Sequence, residues 1–554
     1  MTRHFRLLSF WLLLFAGLAA TPAHAQVPKV GDFYEDAVDI GFKVKMPKDW
    51  EFTPPQPTEG NVIGKYSPTY NKYINLTPDE ILWLEAYLVK FDRRKPAGED
   101  KITTDDEGNI EIEIADRDFS DPDLKTWIDK NMRGRGFRVE EEKNLKVNKV
   151  EATEYLYVGQ TGDVDFYVYA MLYKLEENLE VAVVFNGPAD KKKWRKYESV
   201  FAKMAKSFKP VEIEQVELSG ARDGDTAVRS QKRAALEGEC AKNPGWELYE
   251  TQNYFVITDN DDREFIKELL DRLEAIRAVY EEIYPWEKAD RLRAVAAQAR
   301  KEKEDKEKEE GGEEGEPDID VRIKQDGRTT SAVSSRELSR CSVVRIFKNQ
   351  AQYHEYGGPG GSAGYWASFH EELVIYDDKA GGGRRDTWAV LNHEAFHQYI
   401  FYLYGSLAPH SWYNEGTGDF FSGYEYKHKK FVLKPFDWRV QTIKGALKED
   451  TPEKRTYVPL KELVRYSQAE YYGNNKYKLH GGYNYAQGWS FIYFLRTGAE
   501  KASGWNSAWN GILDTYFETL ASTEDLDKAV DLAFAGVDWD ELENCWKNYV
   551  LKGL

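Results

Sequence analysis

The segment His393-Glu394-Ala395-Phe396-His397 constrains this chain more than any other, because it sets two imidazoles and a carboxylate into a mostly apolar helical stretch. Residues 386–391 before it and 398–404 after it read as one long, largely buried helix, with Asp386 as its N-cap and Gly405 as its stop. At i and i+4 the two histidines share a face, so adjacent turns can hold one metal ion. A buried helix carrying such groups must give them partners, and a metal serves all of them at once. Glu394 lies one position round, where its carboxylate can act on a water beside the ion. Downstream, Trp412-Tyr413-Asn414-Glu415-Gly416 supplies a third donor, with Glu415 18 positions after His397. Two nitrogens and one carboxylate oxygen with one position left open are the donor set of a catalytic zinc site. The competing reading, an amphipathic helix with satisfied histidines, leaves the apolar flanks and Glu415 unexplained.

The pairing of HEAFH with a downstream W-x-N-E-G resembles the gluzincin metallopeptidases. The chain is also similar to the bacterial peptidase MA-like family, whose E-G-x-x-x-F-F segment precedes a helix like Tyr485-Ala486-Gln487-Gly488-Trp489-Ser490-Phe491. The resemblance covers roughly residues 246–550. It implies a zincin-like domain in which His393, His397 and Glu415 bind Zn²⁺ and Glu394 is the general base of peptide hydrolysis. It also implies that Asp419 hydrogen-bonds the first zinc histidine, and one helical turn beyond Glu415 is a sensible place for that. A tyrosine from a later helix would stabilise the oxyanion. Tyr485 is the first candidate, with Tyr483 and His480 as alternatives in the same segment.

Residues 1–25 read as a secretory signal peptide: Arg3 and Arg6 precede an apolar run over 7–20, and Ala23-His24-Ala25 is a small-x-small cleavage site. That run is too short to span a bilayer comfortably, and no later segment is apolar for long enough. No cysteine follows the cleavage site, so a lipid anchor is not expected, and export to the periplasm or medium is. The formal charge of −19 speaks against nucleic-acid partners. Three cysteines, Cys240, Cys341 and Cys545, allow at most one disulfide, and none has the CxxC spacing of a cysteine-bound zinc.

The mature chain divides by pattern into an α+β architecture. Residues 26–210 alternate as strands near 40–47, 150–158, 165–173 and 179–185, then close with a helix over 189–206. The Gly41-Phe42-Lys43-Val44 opening that runs to Pro47 and Trp50, and the closing helix ending in Ser207-Phe208, resemble the Mog1/PsbP-like α/β sandwich. No histidine lies between His24 and His354, so an imidazole-based centre cannot be here. A binding or positioning module and a purely structural domain are both open. Residues 211–245 read as a linker, and 246–554 as the peptidase domain with a mainly helical C-terminal part. Within it the charge-dense run 299–318 is expected to be a disordered insertion. The Gly-rich 357–364 segment lacks the Gly-Lys-Ser/Thr ending of a phosphate loop. The strand after it, 372–376, is expected to run along the cleft and pair with substrate backbone if its edge is free.

The function that follows is hydrolysis of a peptide or protein substrate by a zinc-activated water. A zinc-fold binding protein without turnover is the alternative, although it would have no use for Glu394. Substrate preference, end- or mid-chain cleavage and oligomeric state are not readable from these residues.

Overall fold

The structure is a computed structural model that describes residues 27–68, 84–94, 101–104, 110–114, 120–162, 164–188, 191–309, 322–325, 335–379, 384–405, 407–451 and 453–554. The segment expected to be a signal peptide, the Gly381-Gly382-Gly383 tandem and the second half of the charged run lie outside these residues.

Alternation of side chains builds the N-terminal sheet. Its seven antiparallel strands run in the order Trp50–Thr53, Val62–Pro68, Glu85–Asp92, Leu179–Asn186, Val164–Glu176, Val150–Thr161, Arg135–Val147. In the central strand Val181, Val183 and Phe185 face one layer while Ala182 and Val184 face the other. The first face is covered by the helix Lys191–Ala205, whose Trp194, Tyr197, Phe201 and Met204 follow helical spacing and are buried. Each such side chain contributes about 1.5–3 kcal/mol on burial. The other face receives Trp127 and Ile128 of the helix Leu124–Asn131, capped by Asp123. Two cores on two faces make this an α/β layered domain.

The segment expected to be a linker is not one throughout. Residues Ala227–Lys242 form a helix capped by Thr226, and Leu236 packs beside Trp246, Phe255 and Ile257. Arg233, 1% exposed, is held between Asp225 and Glu250. A polar segment passes for a linker in sequence because its buried anchor is an ion network rather than an apolar stripe. The charged run also differs from expectation in its first half. The helix Trp286–Glu309 continues through it, as the strong helix propensity of Lys and Glu allows.

The second sheet has the order Glu247–Glu250, Tyr254–Thr258, Ser342–Phe347, Glu372–Tyr376, Gly364–Ala367. Its three central strands are parallel and the outer two antiparallel. One face packs on the helices Arg263–Ile283 and Arg384–Tyr404, with Val344, Ile346, Leu373 and Ile375 against Leu273, Ile276, Leu391 and Ala395. The remaining helices, through to Trp539–Gly553, enlarge the same core. The strand Glu372–Tyr376 is paired on both sides, so the condition for its pairing with substrate backbone, a free edge, is not met. The Gly-rich segment instead folds back as Gly364–Ala367 and takes the edge position. Only glycine fits at 364, where a Cβ would lie 2.6 Å from Val390 Cγ1 on the neighbouring helix.

The two domains touch through the short helix Gln350–Glu355, capped by Asn349 as the sequence suggests. Gln352 Nε2 donates to Phe52 O at 2.7 Å, Asn349 to Glu51 at 2.8 Å, and Lys65 Nζ to Glu355 O at 2.7 Å. All three cysteines are free. Among the described residues no helix is long and apolar enough to cross a membrane.

Candidate metal centre

The site is carried by two helices. Arg384–Tyr404 begins two residues before the expected cap, because Arg384 is fixed by Asp377 at 3.1 Å and by Asp262. It ends where expected, with Gly405 at φ +70° and its N–H bonded to Phe401 O. Ser411–Ser422 follows at once, anchored by buried Trp412, whose Nε1 donates to Val464 O at 3.1 Å.

These helices bring His393, His397 and Glu415 together so that one donor atom from each lies within 4.8 Å of the others. Glu415 Oε2 is 3.1 Å from His393 Nε2 and 3.8 Å from His397 Nε2. Donors sharing a tetrahedral zinc at ordinary bond lengths stand roughly 3.3 Å apart. Two imidazoles and a carboxylate at these separations therefore fit Zn²⁺ in both chemistry and span. Buried Asp419 sits behind, its Oδ1 3.2 Å from His393 Nδ1, while Arg439 Nε donates to its Oδ2 at 2.7 Å. That contact sets the imidazole so that Nε2, not Nδ1, points to Glu415.

The electrostatics are those of a closely coupled cluster. Burial alone would lower the His393 pKa, but its hydrogen bonds to Asp419 and Glu415 win and hold it well above the usual histidine value. Burial alone would raise Glu415, yet the hydrogen bonds and charges of both histidines hold it well below the usual carboxylate value.

Glu394 lines an open cleft of about 820 Å³ together with His393, His397 and Glu415. Its carboxylate makes no hydrogen bond or ion pair among the described residues, so nothing in the fold consumes it. Trp366, Ile400, Phe401 and Leu407 form an apolar wall, and Tyr365, Trp366 and Ser368 bring the edge strand to the same cleft. His410 also lines it; burial, aided by the charge of Arg465, pushes its pKa down to about 4, so it is neutral near pH 7.

Tyr485 lies on the cleft but not directly at the three donors. Its hydroxyl donates to Tyr472 Oη at 3.3 Å, and Tyr472 in turn donates to Glu415 Oε1 at 3.0 Å. Burial first, and the Glu415 charge second, push both phenols well above their usual pKa, so both stay protonated donors. Tyr483 is exposed and His480 caps the helix Gly481–Lys501; neither lines the cleft.

Three further residues matter that sequence reasoning did not single out, Tyr472, Arg439 and Gly418, and Gly416 of the W-x-N-E-G segment has a packing role of its own. A Cβ at Gly418 would lie 2.7 Å from His393 Cε1, and one at Gly416 would lie 2.8 Å from the Gly488 backbone. The first glycine leaves room for the imidazole. The second lets Ser411–Ser422 cross Gly481–Lys501 at contact distance. The alternation Glu415-Gly416-Thr417-Gly418-Asp419 was the available signal, since glycines in a buried helix usually mark close approach.

No protein-family profile matches the chain, and no curated protein matches it. Among solved structures it is similar to the solution structure of cyanobacterial PsbP (CyanoP) from Synechocystis sp. PCC 6803. That distant neighbour shares 11% identity at a TM-score of 0.22, over 34% of this chain and 96% of the other.

Proposed function

We propose that this chain is an exported zinc-dependent metallopeptidase of the gluzincin kind, acting on a peptide or protein substrate. The observation that carries the reading is the convergence of His393, His397 and Glu415 beside an unpaired Glu394 in one open cleft. A zinc ion held by those three donors supplies a Lewis acid for the scissile carbonyl and makes water more acidic.

The protein's own groups account for the rest. Glu394 takes the proton of the attacking water and returns it to the leaving amine, which is general base and then general acid at one carboxylate. Asp419, braced by Arg439, keeps the His393 ring in orientation through Nδ1. The Tyr472 and Tyr485 hydroxyls, both protonated, donate to Glu415 and to Tyr472, and either would have to turn from that partner to serve an oxyanion in the cleft. The edge strand Gly364–Ala367 offers backbone groups to an extended peptide. The apolar wall of Trp366, Ile400, Phe401 and Leu407 favours a hydrophobic side chain next to the cut bond. A zinc-binding protein without turnover would have no reason to keep a free carboxylate there.

The test pairs metal analysis with an unbiased peptide-library digest of purified protein. Wild type should hold about one zinc per chain and cleave, whereas His397→Ala and Glu415→Gln should lose both metal and cleavage. Retention of zinc by both variants would sink the ligand assignment, and a zinc-loaded wild type that cut nothing would sink the activity.

A further inference from the structure

A second cavity, about 260 Å³, lies away from the cleft between Tyr284, Lys288, Tyr413, Arg496 and the start of the helix Ile512–Thr523. Its unusual member is Arg496. The four buried arginines among the described residues are all matched, Arg233 by Asp225 and Glu250, Arg272 by Glu268, Arg277 by Glu281, and Arg345 by Glu372 and Glu239, whereas Arg496 is half-buried. Arg496 has no carboxylate partner among the described residues. Its Nη2 donates to Tyr284 Oη at 2.8 Å, and its Nε is buried with no partner. The guanidinium lies over the rings of Phe420 and Tyr284, at 5.1 and 5.7 Å from their centroids. Burying part of a guanidinium, here its Nε, without a partner carries a cost, and an anion entering the cavity would offset it.

The surroundings define the kind of anion. Lys288 is already taken by Asp514 at 2.9 Å and Glu518 at 2.8 Å, so with Arg496 these four side chains balance in charge, and Arg496 is the cavity's cation without a carboxylate contact. The helix Ile512–Thr523 adds first-turn amides that no side chain caps, with Gly511 at φ +86° turning the chain into it. Apart from Asp514, which is paired with Lys288, the rest of the wall is mainly apolar or aromatic: Tyr404, Leu495, Trp509, Ile512, Leu513 and Phe517. One guanidinium without a carboxylate contact, at an aromatic wall and with Asp514 nearby, suits a single carboxylate on an apolar body and disfavours a multiply charged phosphate. The volume sits just below the roughly 300 Å³ at which pockets for larger ligands begin, so the ligand is small.

We propose that this cavity binds a small organic monocarboxylate, with Arg496 receiving the carboxylate and the aromatic wall its apolar body. The site is separate from the His393–His397–Glu415 group and stands or falls independently of the peptidase reading. Tyr413 Oη, 3.1 Å from Tyr284 Oη, ties the cavity to the helix that carries Glu415.

Calorimetric titration of the full chain with benzoate, neutral benzamide and inorganic phosphate tests this. Benzoate should bind, with benzamide and phosphate weaker by about tenfold or more. Arg496→Gln should weaken benzoate by about ten- to a hundredfold, the worth of a hydrogen bond to a charged group. Leu513→Trp, which fills the cavity and keeps the cation, should abolish binding, so the test survives if the arginine variant fails to fold. Binding should persist in His397→Ala, which separates it from carboxylate capture at the other site. The proposal is overturned if wild type does not bind benzoate, if benzamide binds equally well, if folded Arg496→Gln or Leu513→Trp binds unchanged, or if His397→Ala abolishes it.

Discussion

Replacing Gly418 with alanine tests the geometry of the site with a single methyl group. The new Cβ would stand 2.7 Å from His393 Cε1, so the imidazole must yield by 0.3 Å to reach the tightest contacts seen at 3.0 Å and by 0.7 Å to reach ordinary contact at 3.4 Å. It has little freedom to do so, being held by Asp419 at Nδ1 and facing Glu415 at Nε2. Metal sites tolerate ligand displacements of only about 0.2 Å. The expected cost is about 1–3 kcal/mol of stability from overpacking, with zinc affinity falling about 10–100-fold as for lost support behind a ligand. Competition with a chromogenic chelator reads the affinity, and a urea titration of the metal-free protein reads the stability. Gly445→Ala is the control, because a Cβ there meets nothing within 4 Å in the helix Asp437–Glu449. It should stabilise by up to about 1 kcal/mol through helix propensity alone. If Gly418→Ala matched wild type in both zinc affinity and stability, the close packing argued for this helix would be wrong.

Two further outcomes follow from the geometry. Tyr472→Phe, which removes the hydroxyl bonded to Glu415, should lower turnover by about 10²–10³-fold if it is the oxyanion donor, while Tyr485→Phe should cost less; steady-state kinetics on the pair decides which phenol acts. The pKa of Glu250 is lowered to about 2 from 4.5, first by its hydrogen bond from Arg233, with Arg229 adding to it against burial. A folded-state value below the unfolded one gives stability that is present above 4.5 and lost as pH falls through about 2, so urea midpoints should drop across that window. Arg233→Met should flatten that dependence, and an unchanged slope would remove the network from the account.

Elements with strong periodicity were legible in the sequence. The strands Leu179–Asn186 and Val164–Glu176 and the helix Arg263–Ile283 fall where alternation or helical spacing places them, and Asn349 and Gly405 perform the cap and stop expected of them. Elements held by charge were not. The helix Ala227–Lys242 carries few apolar residues and is fixed through Arg233, which a hydrophobic pattern cannot reveal. Edge identity was also hidden, because Glu372–Tyr376 reads the same whether or not Gly364–Ala367 pairs beside it. At the candidate site the two histidines could be named from motif spacing, since a helix fixes i and i+4 within the chain, and Glu415 from the downstream W-x-N-E-G segment. Tyr472 and Arg439 could not, because their place depends on how later helices pack back onto Ser411–Ser422. Tyr485 was singled out by its segment and lies one hydroxyl further from Glu415 than Tyr472 does.

The most direct test of the central claim is hydrolysis of unfolded casein by Glu394→Gln, with zinc content measured on the same preparation. Glu394 lines the cleft without contributing to the three-donor group, so the variant should keep about one zinc per chain and the wild-type unfolding midpoint. Turnover should fall by about 10²–10⁴-fold or more, as when a general base is removed. Casein hydrolysis at the wild-type rate by the zinc-loaded Gln variant would contradict the mechanism and leave a zinc-stabilised binding protein as the better description.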